Sequence, residues 1–223
     1  TILYATDSET GETYELQRLQ SADNSIWVDI EQIPEYMQKA AIAAEDARFM
    51  EHEGVDWKRT LGAFVNMFVK IYPTKQGGST ITQQLVKNVT GDDAVRVDRK
   101  VREIFTALNL EKEYSKQEIL EAYLNVIPLG NGVKGVQAAA NLYFGKDVSE
   151  LSLAECASII AITQYPELRN PFNNPEENKV RQEYILDEML ELGSITQAEH
   201  DAAVAEELNF LKEEYIEERS EVQ

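Results

Sequence analysis

Three clusters of side chains in this 223-residue sequence have the types and spacing to do chemistry. The first is Glu45-Asp46, followed by Arg48, Phe49, His52, Gly54 and Asp56. On a helix, Glu45 and Phe49 share a face at i, i+4 with Asp46 alongside. A carboxylate set beside an aromatic ring in an apolar cleft suits general-base work. The plain alternative is that Glu45, Asp46 and Arg48 are surface charges and His52 a hydrogen-bonded structural residue. Two histidines without a cysteine partner argue against a zinc site.

The second cluster runs from Gln76-Gly77-Gly78-Ser79-Thr80 through Gln83 and Gln84 to Lys87-Asn88. Two glycines before Ser79 read as a loop, a helix cap at Ser79 and then a helix, and the free N–H groups of a helix start accept anions. No Gly-Lys-Ser/Thr follows the glycines, so this is not a nucleotide phosphate loop. The third cluster is Arg99-Lys100 with Glu103. Arg99 and Glu103 stand one turn apart and suit a simple ion pair. The functional reading gives the guanidinium fork of Arg99 to a pyrophosphate. Glu103 is then a second carboxylate, orienting Arg99 or offering oxygen to a divalent metal, Mg or Mn.

The elements that must hold these clusters follow from pattern. Residues 1–30 alternate and carry turn residues, which reads as a small N-terminal β hairpin. From Pro34 the pattern turns helical, with Met37, Ala40, Ala41, Ala44 and Ala47 at helical spacing, and the helix is expected to run to about Glu53-Gly54. Capping boxes at Ser115…Glu118, Ser152…Glu155 and Thr196…Glu199 mark further helix starts. A mainly α domain over 31–215 is expected, with a final helical region from about Glu176. Beyond Glu206 the chain reads as a solvated helix, closing in an acidic tail at 216–223. Leu61–Tyr72 is apolar and flanked by Lys58, Arg59, Lys70 and Lys75. That suits a core helix or a membrane-interface segment.

Charge narrows the ligand classes. The chain carries a net charge of −19, which argues against nucleic acid as a partner. Residues 58–102 run against that trend, with nine basic residues and the three acids Asp92, Asp93 and Asp98. An island of +6 in a chain that is otherwise −25 suits a local anionic ligand or, equally, a salt-bridged helix surface. No run of about 18 apolar residues is present to span a membrane. Cys156 lies in an apolar run and reads as a small packed hydrophobe. The abrupt start on Thr1-Ile2-Leu3-Tyr4 reads as an excised piece of a longer protein without its membrane anchor.

Five ordered motifs then carry a resemblance. They are Glu45-Asp46-x-x-Phe49-x-x-His52-x-Gly54, the run Gln76 to Asn88, and Arg99-Lys100-x-x-Glu103. Lys116-x-x-Ile119-x-x-x-Tyr123-x-Asn125 with Gly130 and Gly135 comes next, then Leu151-Ser152-Leu153-Ala154-Glu155. In these the sequence resembles glycosyltransferase family 51, the peptidoglycan glycosyltransferase domain of class A penicillin-binding proteins and of the monofunctional enzymes. The resemblance implies a lysozyme-like, mainly helical fold with a small hydrophobic lobe at about 57–76 that touches the membrane. It implies polymerisation of lipid II onto a nascent glycan strand at the outer face of the cytoplasmic membrane, with moenomycin-type inhibitors as competing ligands. Residue by residue, it makes Glu45 the base and gives Lys87 and Arg99 to the donor pyrophosphate with Gln84, Ser79 and Asn88. Glu103 supports the donor site, alone or with a divalent metal. Asp46, Phe49, His52, Thr80, Gln83, Lys100, Tyr123 and Asn125 shape the motifs. Ala47, Met50, Pro128-Leu129 and Gln164-Tyr165 depart from the family pattern. The competing readings are a lysozyme-like glycan hydrolase or lytic transglycosylase, and a non-catalytic module that binds a membrane or partner. No Ser-x-x-Lys and no Lys-Thr-Gly occurs, so no β-lactam acylation is expected.

Overall fold

A computed structural model describes residues 2–6, 13–18, 26–62, 78–91 and 97–211. The apolar segment expected at the membrane lies mostly outside them, as does the acidic tail. Strands β1 (Ile2–Thr6) and β2 (Thr13–Arg18) pair antiparallel, with a register irregularity between Leu3 and Tyr4. Among the described residues after 34 the regular structure is helical apart from an isolated Pro128–Lys134 bridge: α1 (Glu35–Glu45), α2 (Ile81–Thr90), α3 (Val97–Glu113), α4 (Lys116–Val126), α5 (Val136–Phe144), α6 (Leu153–Ala161), α7 (Pro175–Glu191) and α8 (Gln197–Ala205), with a helical stretch at 57–62 and a 3₁₀ turn at Val148–Glu150. The protein is thus a mainly α-helical domain.

Two packed groups organise the helices. Alanine-rich α1 lies against α6 and α7, and α8 packs on α6 and α7. Helix α2 lies against α3 and α4. The small residues Ala40, Ala41, Ala43 and Ala44 on α1 and Ala154, Ala157 and Ala161 on α6 are buried, which lets the two backbones approach closely. Large side chains, among them Met37, Phe49, Tyr123, Tyr143, Ile159 and Ile160, fill the space around them. Cys156 is buried in this core, and burial pushes its thiol well above the ordinary range, so it is inert there.

The three expected capping boxes form, at Ser115/Glu118, Ser152/Glu155 and Thr196/Glu199. Two more form at Thr80/Gln83 and Asp147/Glu150. The cap of α2 is therefore Thr80 and not Ser79, because Thr80 also donates its hydroxyl to the Gly54 carbonyl at 2.6 Å, which fixes the register. The helix expected to reach Gly54 ends nine residues earlier. Asp46 adopts φ −158°, ψ 70°, and its carboxylate is taken up by groups outside the helix, so the chain leaves α1 at Glu45. Glu45 and Phe49 consequently do not share a helix face.

The stretch after Glu206 is also not helical as far as it is described. Glu206 turns to φ −69°, ψ 126°, and residues 206–211 carry no regular structure, with their end against α5. The Leu211 N–H donates to the Tyr143 carbonyl at 3.0 Å, and Phe210 stacks on Phe144 with centroids 5.2 Å apart. Gly135, at φ 81°, starts α5 where a Cβ would sit 2.5 Å from the Asn125 carbonyl oxygen. Gly135→Ala is therefore expected to cost at least ~2 kcal/mol in a denaturant unfolding experiment, from the strained φ and the backbone clash together.

Candidate active site

The site forms where the two helix groups meet. Glu45 sits at the last turn of α1, half-buried, with both carboxylate oxygens engaged. Gln84 on α2 donates its amide to Oε2 at 2.8 Å, and the Thr163 hydroxyl, just past α6, lies 2.7 Å from Oε1. The Gln84 carbonyl oxygen in turn faces the Tyr123 hydroxyl of α4 at 3.5 Å. Burial, with the nearby Glu45 and Asp46 carboxylates adding to it, pushes the Tyr123 phenol well above its ordinary value. Tyr123 therefore stays protonated and donates to Gln84, while the Glu45 carboxylate, an acceptor only, takes the amide N–H.

Asp46, the next residue, does a different job. It is fully buried and points away from Glu45 into the start of α2. Its Oδ2 accepts the Ile81 N–H at 3.0 Å and meets His52 Nε2 at 2.9 Å, while Arg59 Nη1 lies 3.5 Å from Oδ1. A carboxylate on the first N–H of a helix satisfies an orphan donor and complements the helix dipole. Arg59 is thus drawn inward. Its expected place on a membrane-facing rim is corrected, because the buried Asp46 charge needs a cation.

Two further clusters brace this turn. Arg48 forms a forked pair with Asp56, whose carboxyl is pushed up by burial but brought below its ordinary value overall by the Arg59 N–H and by Arg48. Lys116 at the start of α4 donates to the His52 carbonyl at 2.5 Å and sits 4.4 Å above the Phe49 ring. It also pairs with Glu111, which accepts the Thr82 hydroxyl at 2.6 Å. Phe49 is fully buried and packs edge-on to His52, so it is part of this brace and not a wall beside Glu45.

On α2, Gln84, Lys87 and Asn88 fall at i, i+3 and i+4, which puts them on one face. Lys87 is exposed and Asn88 half-exposed, so this face is open next to Glu45. Gln83 is buried and closes the Thr80 capping box, which removes it from that face. Across from the α2 start, Glu103 is nearly buried on α3, with Arg99 Nη1 at 2.7 Å from one oxygen and Lys100 on the other. Lys100 also donates to the Ser79 hydroxyl at 2.9 Å, which ties the loop before α2 to α3. Both Glu103 oxygens are therefore held by cations. A divalent cation there would share these oxygens with two positive charges. Asn125 turns elsewhere, clamping the backbone of Val28 through two bonds of 2.9 Å.

Sequence reasoning did not single out Thr163 or Glu111, and it paired neither Arg48 with Asp56 nor Lys116 and Thr82 with Glu111. Lys116 did stand in a motif, but a lysine at a helix start carries no hint of a partner 64 residues back. Thr163 lies 118 residues from Glu45 and belongs to none of the motifs.

Comparison with known proteins shows the family. A family profile described as Transglycosylase matches residues 12–190. Penicillin-binding protein 1A of Clostridium perfringens (strain 13) is 43% identical over 187 residues, 80% of this chain and 28% of that protein. Penicillin-binding protein 1A of Aquifex aeolicus is 41% identical over 187 residues, 84% of this chain and 26% of the relative. Penicillin-binding protein 1F of Bacillus subtilis is 42% identical over 172 residues, 77% and 24%. The chain thus spans about a quarter of the length of these relatives. The crystal structure of penicillin-binding protein 1A from Haemophilus influenzae matches all of this chain and 23% of its own, with a TM-score of 0.52 and 24% identity, which is a likeness of fold. With most of its length under the family profile and its five motifs in order, the chain belongs to the transglycosylase family.

Proposed function

We propose that this chain is a peptidoglycan glycosyltransferase that polymerises lipid II on a lysozyme-like fold at the outer face of the cytoplasmic membrane. The observation that carries the reading is Glu45. It is a carboxylate held from both sides at the edge of an open helix face bearing Gln84, Lys87 and Asn88. In this reading Glu45 takes the proton of the acceptor sugar's 4-hydroxyl as that oxygen attacks the anomeric carbon of the donor. The carbon inverts, its bond to the undecaprenyl pyrophosphate breaks, and the electron pair leaves on the phosphate. Lys87 and Arg99, with Gln84, Ser79 and Asn88, meet that developing charge; preorganised cations act at the point where the barrier is highest. Asp46, His52, Phe49, Thr80, Gln83, Lys100 and Tyr123 hold the parts in place, and Glu103 keeps Arg99 and Lys100 aimed.

The membrane contact in this reading is the segment 57–76. Its described start supports that, because Trp57 and Leu61 are 59% and 64% exposed with Lys58 exposed between them. An exposed Trp and Leu beside a lysine suit a lipid interface. No helix among the described residues is long and apolar enough to cross a membrane.

The test is incubation of the protein with lipid II in detergent or vesicles. Growth of glycan chains supports the reading, whereas release of fragments from preformed peptidoglycan would favour a hydrolase. The two-carboxylate hydrolase is disfavoured because Glu103, its second carboxylate, is held between cations. A moenomycin-type phosphoglycolipid is expected to compete for the same cations. Lys87→Ala and Arg99→Ala should each weaken its binding by roughly 10-fold or more, the worth of one charge-assisted hydrogen bond. Unchanged affinity in both variants would remove the pyrophosphate assignment.

A further inference from the structure

Thr163 follows the C-terminal end of α6 and carries a single hydroxyl hydrogen, yet its Oγ has two acceptors within reach. Glu45 Oε1 lies at 2.7 Å and the Ile160 carbonyl at 2.8 Å. One hydrogen cannot serve both at full strength. The Ile160 carbonyl also receives the Thr163 backbone N–H at 3.1 Å, so it stays satisfied when the hydroxyl turns away. On the other side, Gln84 donates to Glu45 Oε2 while its carbonyl oxygen faces the buried Tyr123 hydroxyl, so Oε2 is held as an acceptor in this arrangement.

We infer that Thr163 is a positioning residue for the base, a hydroxyl rotor that keeps Glu45 hydrogen-bonded in both of its protonation states. This rests on the proposed glycosyl transfer. While Glu45 is a carboxylate, the Thr163 hydrogen points at Oε1 and donates. As the sugar oxygen forms its bond to the anomeric carbon and the pyrophosphate leaves with its electron pair, the proton of the 4-hydroxyl passes to Glu45. Oε2 is held as an acceptor by Gln84, so the carboxylic acid hydrogen is accommodated on Oε1. Oε1 then donates to Thr163 Oγ, and the Thr163 hydrogen swings to the Ile160 carbonyl. The carboxyl plane need not rotate, and no buried oxygen loses its partner during turnover. A side chain without a hydroxyl leaves Oε1 unpartnered before the reaction and the acid hydrogen unpartnered after it.

The experiment compares Thr163→Val, which keeps the shape and removes the hydroxyl, with Thr163→Ser, which keeps the hydroxyl. Each is measured alone and Thr163→Val also together with Glu45→Gln, by steady-state kinetics of lipid II polymerisation. Thr163→Val is expected to lower kcat by about 10-fold or more with KM within about two-fold, the pattern for an effect on the chemical step. Thr163→Ser should stay within about three-fold of the unmodified protein, and the double variant should be no slower than Glu45→Gln alone, since residues acting as a unit are non-additive. An unchanged kcat in Thr163→Val overturns the inference. So do equal losses in Val and Ser variants, which would mean packing, and multiplied losses in the double variant, which would mean independent action. If the unmodified protein forms no glycan polymer, the proposed function itself fails and this inference falls with it.

Discussion

Glu45→Gln is expected to slow glycan polymerisation by about 10²–10⁴-fold, the usual contribution of a positioned general base. The substitution is a clean one at this site. Its amide oxygen can still accept the Gln84 donor, and its amide nitrogen can donate to Thr163 Oγ, whose own hydrogen then goes to the Ile160 carbonyl. Every hydrogen bond seen around Glu45 therefore has a counterpart in the variant, and only the capacity to take a proton is lost. Initial rates of lipid II consumption and thermal melting, measured side by side, separate the two effects. The melting curve should coincide with that of the unmodified protein while the rate collapses. A variant that retains near-full rate would show that Glu45 is not the base.

Asp46→Ala, one residue along, should have the opposite profile and lower stability by about 3–5 kcal/mol, the cost of breaking a buried ion pair by removing one partner. Asp46 is fully buried and serves the Ile81 N–H, His52 and Arg59 together. Its loss strands a helix N–H and takes one acidic partner from Arg59, whose side chain is only 16% exposed. Helix α2 also loses the anchor at its first residue, and with it the fixed placement of Gln84 and Lys87. Urea unfolding gives the measurement, and the activity of the surviving folded fraction is expected to fall as well. A loss under ~1 kcal/mol would mean that Asp46 is neither charged nor paired in solution as it is here.

The difference between these neighbours explains how far the sequence could be read. Glu45 and Asp46 are both acids in one motif, and local pattern treats them alike. What divides them is that the backbone leaves the helix between them, sending one carboxylate to the open face and the other into the core. That break was missed because Ala47 and Phe49 continue the apolar spacing, while the groups that take up the Asp46 carboxylate include Ile81, 35 residues on. Capping boxes were legible because both partners lie within four residues. Thr80 and Ser79 were confused because either can cap, and the choice falls to the Gly54 carbonyl, 26 residues away. Arg59 looked like part of a basic rim because its acid lies 13 positions back and inside the fold. The motifs found the Glu45, Lys87 and Arg99 clusters. The hydrogen-bonded frame around them is made by contacts distant in sequence, which spacing does not encode.

One of those contacts bears on when the chain becomes competent. Glu45 is gripped by a residue 39 positions later and by another 118 positions later, each from a different helix group. Closing loops of that length is slow relative to forming the helices themselves. As the polypeptide is synthesised, Glu45 is made 118 residues before its second grip, which does not exist until residue 163 has been added and α6 has docked. Until then a nascent chain holds this carboxylate from one side at most.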